Sequence, residues 1–201
     1  MIALIDYGIG NLRSVHKALS TVGADVILTD EPEHILAADK IVLPGVGAFG
    51  DGMVGLTSRR LDKVIHEIVQ QDRPILGICL GMQLLFDSST ELGEYLGLGL
   101  LAGKVKKFNL NDLKVPQTGW NQLKIKKGNT LLQGLESGCY AYFNHSFYCA
   151  SEIPSDILAT TEYGLEYASV VGRGNLYGVQ FHPEKSQSIG LQILKNFTEL
   201  C

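Results

Sequence analysis

The stretch Gly77-Ile78-Cys79-Leu80-Gly81 constrains this chain more than any other. Before it, Ile75 to Ile78 form a short apolar run that reads as a buried strand. After it, Leu80 to Phe86 carry apolar residues at helical spacing. The cysteine between them has a glycine two positions to either side. A chain that passes from strand to helix over so few residues turns sharply, and glycine avoids the collision of neighbouring Cβ atoms. This is the form of a nucleophile elbow. Amides at the start of the helix then face the sulfur, where they favour a thiolate and an oxyanion. A buried structural cysteine at a strand end has the same local pattern, so the stretch alone leaves both readings open.

The surrounding periodicity sets the fold. Ile2 to Ile5 reads as a buried strand, followed by a helix from Asn11 to Val22 that Gly23 closes. Asp25 to Leu28 and Ile41 to Leu43 are further strands, and Arg59 to Gln71 is a helix. With the elbow, this order predicts an α/β fold: an open, mostly parallel, mixed sheet with helices on both faces, as one domain over residues 1–201. Beyond Gly93 the pattern becomes largely antiparallel. Strands are expected at Leu100 to Phe108, Gln122 to Lys127, Tyr140 to Phe143, Ile157 to Thr160, Ala168 to Val171 and Leu176 to Phe181. A last helix runs from Gly190 to Leu200. Gly8-x-Gly10 lacks the third glycine of a dinucleotide fingerprint, since Arg13 stands there, and reads as a tight turn at the sheet edge. Pro44 to Gly50 holds more glycine than a turn requires, which suits backbone that approaches a ligand.

Composition excludes several classes of function. The net charge is −4 and basic residues are scattered, which argues against nucleic acid; Lys104, Lys106 and Lys107, like Lys124, Lys126 and Lys127, are expected on solvent faces of strands. Four cysteines include no CxxC pair, so no metal site is expected. Cys139 and Cys149 read as small core or strand residues and Cys201 as a free thiol. The N-terminus lacks the basic start and apolar stretch of a signal peptide, and no apolar run reaches membrane-spanning length. A cytoplasmic, reducing setting is expected, with no membrane association and no cofactor.

Val179-Gln180-Phe181-His182-Pro183-Glu184 decides between the two readings of Cys79. His182 and Glu184 alternate at a strand end, so their side chains leave on one face. A carboxylate beside an imidazole fixes its tautomer, and a cysteine at the other ring nitrogen completes a Cys-His-Glu triad.

Together, Pro44-Gly45-Val46-Gly47, Gly77 to Gln83 and Phe181 to Glu184 resemble the class I (triad) glutamine amidotransferases. Asp6 to Val15, Pro44 to Phe49, Gly119-Trp120-Asn121, His145-Ser146 and His182 to Ser186 narrow the resemblance to the glutaminase subunits of imidazole glycerol phosphate synthase. The resemblance implies that Cys79 attacks glutamine, that His182 moves the proton and that Glu184 orients His182. It places the oxyanion hole at Val46 or Gly47 and Leu80, and substrate contacts at Gly45, Gln83, Glu91, His145 and Ser146. It implies a heterodimer with a (β/α)8-barrel cyclase that uses the ammonia to form imidazole glycerol phosphate and AICAR in histidine biosynthesis. Asn11, Trp120, Tyr142 and Lys185 would lie at the interface or gate the passage.

One segment departs from the family pattern. A hydrophobic residue usually precedes the equivalent of His145 and a tyrosine usually follows that of Ser146, where this chain has Asn144 and Phe147. Alternatives are a paralogous amidotransferase feeding another synthase, such as one making a modified sugar, or a stand-alone γ-glutamyl hydrolase-like enzyme.

Overall fold

A computed structural model describes residues 1–201. The chain opens with β1 (Ile2–Ile5), α1 (Leu12–Thr21), β2 (Val26–Thr29), α2 (Pro32–Ala37) and β3 (Lys40–Leu43). Then come α3 (Phe49–Ser58), α4 (Leu61–Gln70), β4 (Ile75–Ile78) and α5 (Leu80–Leu84). Strands then dominate: β5 (Phe86–Ser89), β6 (Tyr95–Leu96), β7 (Leu101–Lys107), β8 (Gln117–Gln122), β9 (Lys124–Ile125), β10 (Tyr140–His145) and β11 (Phe147–Ser151). The chain continues through β12 (Ile157–Glu162), β13 (Glu166–Arg173) and β14 (Leu176–Val179) to the closing helix α6 (Gln187–Glu199).

The main sheet has the order β2-β1-β3-β4-β14-β13-β11-β7-β5-β6, with β12 joining β13 to β9. From β2 to β14 all neighbours are parallel. From β14 to β7 they are antiparallel. A separate antiparallel ribbon pairs β8 with β10. Successive strand residues point to opposite faces, and two cores result. Ala3, Ile5, Ile41, Leu43 and Ile75 pack with Ile35 of α2, Phe49 and Leu56 of α3, and Leu61, Ile65 and Ile68 of α4. Ile2, Leu4, Val42, Leu76 and Ile78 pack with Val15 and Leu19 of α1 and with Ile193, Leu194 and Phe197 of α6. Helices on both faces of a mixed, largely parallel sheet are the expected α/β architecture. No helix is long and apolar enough to cross a membrane.

β14 positions the site. It is antiparallel to β13, as the sequence pattern suggests, but parallel to β4, with Val179 opposite Ile78. The last strand of the chain therefore lies in the middle of the sheet, and the residues after Val179 emerge beside Cys79.

Several elements differ from the sequence-based expectation. α3 covers the end of the glycine-rich stretch Pro44 to Gly50 and residues 51–58, for which the sequence pattern assigns no element. Its glycines weaken helical propensity but allow close packing: a Cβ on Gly55 would lie 2.6 Å from Tyr7 O, and one on Gly52 3.1 Å from the Leu84 side chain. α5 stops at Leu84 because Phe86 opens β5. The strand expected at Gln122 to Lys127 shrinks to β9, since Gln122 belongs to β8. β8 carries no apolar alternation, and Gln117 is its only buried residue. Lys124 lies on the exposed face of β9 and pairs with Glu162, whereas Lys126, expected on a strand face, is exposed just past the end of β9 and pairs with Glu166.

Candidate active site

The elbow is strained as its sequence requires. Cys79 has φ 55° and ψ −110°, a conformation that costs a non-glycine residue about 1–3 kcal/mol. Sheet pairing and packing hold it there: Cys79 N donates to Val179 O at 2.8 Å. A Cβ on Gly81 would run into the Leu43 carbonyl, and one on Gly77 would lie 2.7 Å from Gly81 O. Both glycines are thus required by close backbone approach.

His182 stands beside Cys79. Its Nδ1 donates to Glu184 Oε1 at 2.9 Å, and both side chains are almost wholly buried. Cys79 adjoins the same ring closely enough to act on its charge. Burial opposes protonation of the ring, but the hydrogen bonds and negative charges of Cys79 and Glu184 outweigh it and raise the pKa to about 10. The loop is pinned to β10. His182 N donates to Tyr142 O at 2.9 Å, while Ser186 Oγ donates to His182 O at 2.7 Å and accepts from Tyr142 N at 2.9 Å. Strand alternation is not what joins His182 to Glu184, because β14 ends at Val179. A single 3-10 turn, Pro183–Lys185, folds the carboxylate back onto the ring.

The Pro44–Gly47 backbone runs against the start of α5. Tyr7 Oη donates to Pro44 O at 2.6 Å. Leu80 N donates to Gly45 O at 3.4 Å. In a planar trans peptide the N–H lies opposite the carbonyl, so Val46 N–H points away from Leu80. Gly47, with φ 108°, lies in the region that favours glycine.

A pocket of about 260 Å³ opens on Cys79. Of the residues implicated by the sequence, Val46, Gly47, Leu80, Gln83, Glu91, His145, Ser146, His182 and Lys185 line it, together with Pro116, Asn144 and Phe147. Gly45 does not: it is buried behind the wall, where a Cβ would strike Tyr7 Oη and lie 2.9 Å from Leu80 Cβ. Glu91 Oε2 accepts from Phe49 N at 2.8 Å, and burial raises its pKa against the pull of that amide. His145 is buried, which lowers its pKa to about 4; its Nδ1 donates to Phe147 O at 2.7 Å. Gln83 Nε2 donates to Phe147 O and to Gln180 Oε1, both at 3.1 Å. Gln180, which the sequence pattern does not single out, is fully buried with its Nε2 3.8 Å from Cys79 Sγ. Its one signal in the sequence is its position two residues before His182.

Trp120, Tyr142 and Lys185 form one patch. Trp120 is exposed and meets the Tyr142 ring edge-on at 6.0 Å, and Lys185 Nζ lies 5.7 Å from the centre of that ring. Asn11 precedes α1 without a side-chain cap bond, and α1 packs beside the Pro183–Lys185 turn. The unusual Asn144 has a partner across the β8–β10 ribbon: Thr118 Oγ1 donates to its Oδ1 at 3.1 Å.

The family model for class-I glutamine amidotransferases matches residues 3–200. The chain belongs to this family. It is similar to the imidazole glycerol phosphate synthase subunit HisH of Moorella thermoacetica, 50% identical over 199 residues, which cover 99% of this chain and 94% of that one. It is also similar to HisH of Bacillus subtilis, 48% identical over 206 residues, covering 100% of this chain and 97% of the other. HisH of Methanosarcina mazei is 50% identical over 202 residues, covering 100% and 98%. Among solved structures, a glutamine amidotransferase superposes with a TM-score of 0.76 at 17% identity, over 98% of this chain and 99% of that one. A chain in the structure of PurLQS from Thermotoga maritima gives 0.71 at 18%, over 98% and 96%. These two structural likenesses concern the fold.

Proposed function

We propose that this chain, acting as one amidotransferase domain, is the glutaminase subunit of imidazole glycerol phosphate synthase. The observation that carries the reading is the alignment of Cys79, His182 and Glu184 beside one pocket, in a chain about half identical to HisH subunits along its length. Cys79 Sγ attacks the side-chain amide carbon of glutamine as a thiolate. His182, held protonated between Cys79 and Glu184, delivers a proton to the departing ammonia. Water then attacks the thioester, His182 takes up the proton from that water, and glutamate leaves with Cys79 restored. Glu91, Gln83, His145 and Ser146 surround the space left for the amino-acid end of the substrate.

The oxyanion formed in each step needs amide donors, and one donor is typically worth about 3 kcal/mol. Leu80 N–H faces the site but is occupied by Gly45 O, and Val46 N–H faces away. A flip of the Gly45–Val46 peptide would free the first donor and supply the second. Gly45, on one side of that peptide, has no Cβ to oppose its rotation. The resting chain is therefore set for low activity, and a liganded partner raises it by favouring the flipped peptide.

The partner is a (β/α)8-barrel cyclase that receives ammonia beside Lys185, Tyr142 and Trp120. Co-purification with that cyclase, followed by assay of imidazole glycerol phosphate, tests the assignment. A stable complex that consumes glutamine yet leaves the cyclase substrate untouched would move the chain to another synthase. Cys79→Ala should abolish glutamine hydrolysis and leave synthesis from free ammonia intact; loss of both would give Cys79 a structural role instead.

A further inference from the structure

Two buried glutamines lie between the nucleophile and β11. Gln180 and Gln83 are 0% and 5% exposed. Their amide orientations follow from one fixed acceptor. Phe147 O is a backbone carbonyl, so the Gln83 atom 3.1 Å from it is the donor nitrogen. That nitrogen also faces a Gln180 side-chain atom at 3.1 Å, which is therefore the oxygen. The Gln180 atom 3.8 Å from Cys79 Sγ is then the nitrogen. The opposite orientation would set two donors against each other in a buried site.

We propose that Gln180 is a positioning residue for the nucleophile: its Nε2–H donates to Cys79 Sγ, and Gln83 locks it in that orientation. The proposal rests on Cys79 being the nucleophile. The sulfur has the His182 imidazole on one side and a neutral N–H from Gln180 on another, which fixes its rotamer and favours the thiolate. The other titratable groups around the sulfur are Tyr7, at the end of β1, and Cys149, on β11, with Glu184 behind His182. None of them supplies a second cationic donor. Because both Gln83 N–H groups are spent on Phe147 and Gln180, only Gln83 Oε1 remains to meet a substrate.

The test compares the full native chain with Gln180→Leu and Gln180→Glu. Alkylation by iodoacetamide is followed against pH on the Cys79 peptide by mass spectrometry, alongside kcat and KM for glutamine in the cyclase complex. The expected result is a half-maximal alkylation pH shifted upward by about one unit in the leucine variant, and further in the glutamate variant, whose carboxylate repels the thiolate. The kcat should fall about tenfold or more while KM changes little. Gln83→Met, read by the same alkylation profile, should give a smaller upward shift, and it serves if a Gln180 variant fails to fold. Folded variants with an unshifted profile would overturn the role of Gln180 while leaving Cys79 as nucleophile. Glutamine hydrolysis that survives Cys79→Ala would overturn both.

Discussion

Two different demands for glycine, one beside Cys79 and one after α1, can be separated by substitution. Gly81 is fixed by collision with the Leu43 carbonyl, whereas Gly23, at φ +87°, has nothing within 4 Å of an added Cβ. Gly81→Ala should fail to give a natively folded chain, while Gly23→Ala should cost only about 1 kcal/mol; thermal denaturation of the pair checks both. The histidines give stability a pH dependence of opposite sign. His182 is raised to about 10 in the fold, so its contribution is complete below the unfolded value near 6.5 and drains away as pH rises toward 10. His145 is lowered to about 4. Its neutral form costs nothing above the unfolded value, and stability falls as pH drops from about 6.5 toward 4. Melting temperature against pH should therefore decline on both sides. His145→Gln should soften the acid limb and His182→Gln the alkaline one.

At the scale of elements, the Pro44–Gly47 segment is held between two anchors, Tyr7 below it and Leu80 beside it. Tyr7 is buried, and its hydroxyl serves Pro44 O. Tyr7→Phe leaves that carbonyl without its donor, at a cost of about 1–3 kcal/mol. The expected outcome is a lower melting temperature together with faster hydrogen exchange at Val46 and Gly47 than in the native chain. Unchanged exchange would mean that Leu80 alone sets the strand. α6 contributes differently, through packing. Phe197 is fully buried, so Phe197→Ala should destabilise by about 3–5 kcal/mol without moving Cys79.

For the whole molecule, the sheet divides labour between its halves. The parallel strands β3, β4 and β14 lead at their C-terminal ends into Pro44–Gly47, Cys79 and the segment of His182, the groups proposed as oxyanion backbone, nucleophile and acid–base histidine. The β8–β10 ribbon lies outside that sheet and carries Trp120 and Tyr142, while Lys185 reaches them from the turn after His182. Tyr142 also bonds the backbone of His182, so the patch and the triad share a physical connection. Trp120→Ala should weaken binding to the cyclase by about tenfold to a hundredfold, as loss of an exposed aromatic anchor does, and leave the melting temperature of the isolated chain near native. Titration calorimetry against the cyclase, with a thermal melt of the free chain, checks it.

The sequence by itself determined what depends on local chemistry. Glycine spacing around Cys79 specified the elbow because no other residue tolerates those backbone contacts, and the apolar runs of β1, β3 and β4 specified buried parallel strands because both faces are covered. His182 and Glu184 were legible as partners, though the turn at Pro183 brings them together and strand alternation does not. α3 was hidden because its glycines serve packing against Tyr7 and α5, a demand that lowers local helical propensity. β8 was hidden because its one partner, β10, is remote in sequence and its residues carry no apolar alternation. Gln180 falls within the expected strand Leu176 to Phe181 with nothing local to mark it, and only Gln83 and Phe147 O, distant in sequence, fix its amide. Tertiary structure alone decided that β14 enters the sheet beside β4, since a strand's neighbour is set by long-range pairing and burial. That insertion turns two distant motifs into one site, beside which the Gly45 carbonyl accepts from Leu80 N.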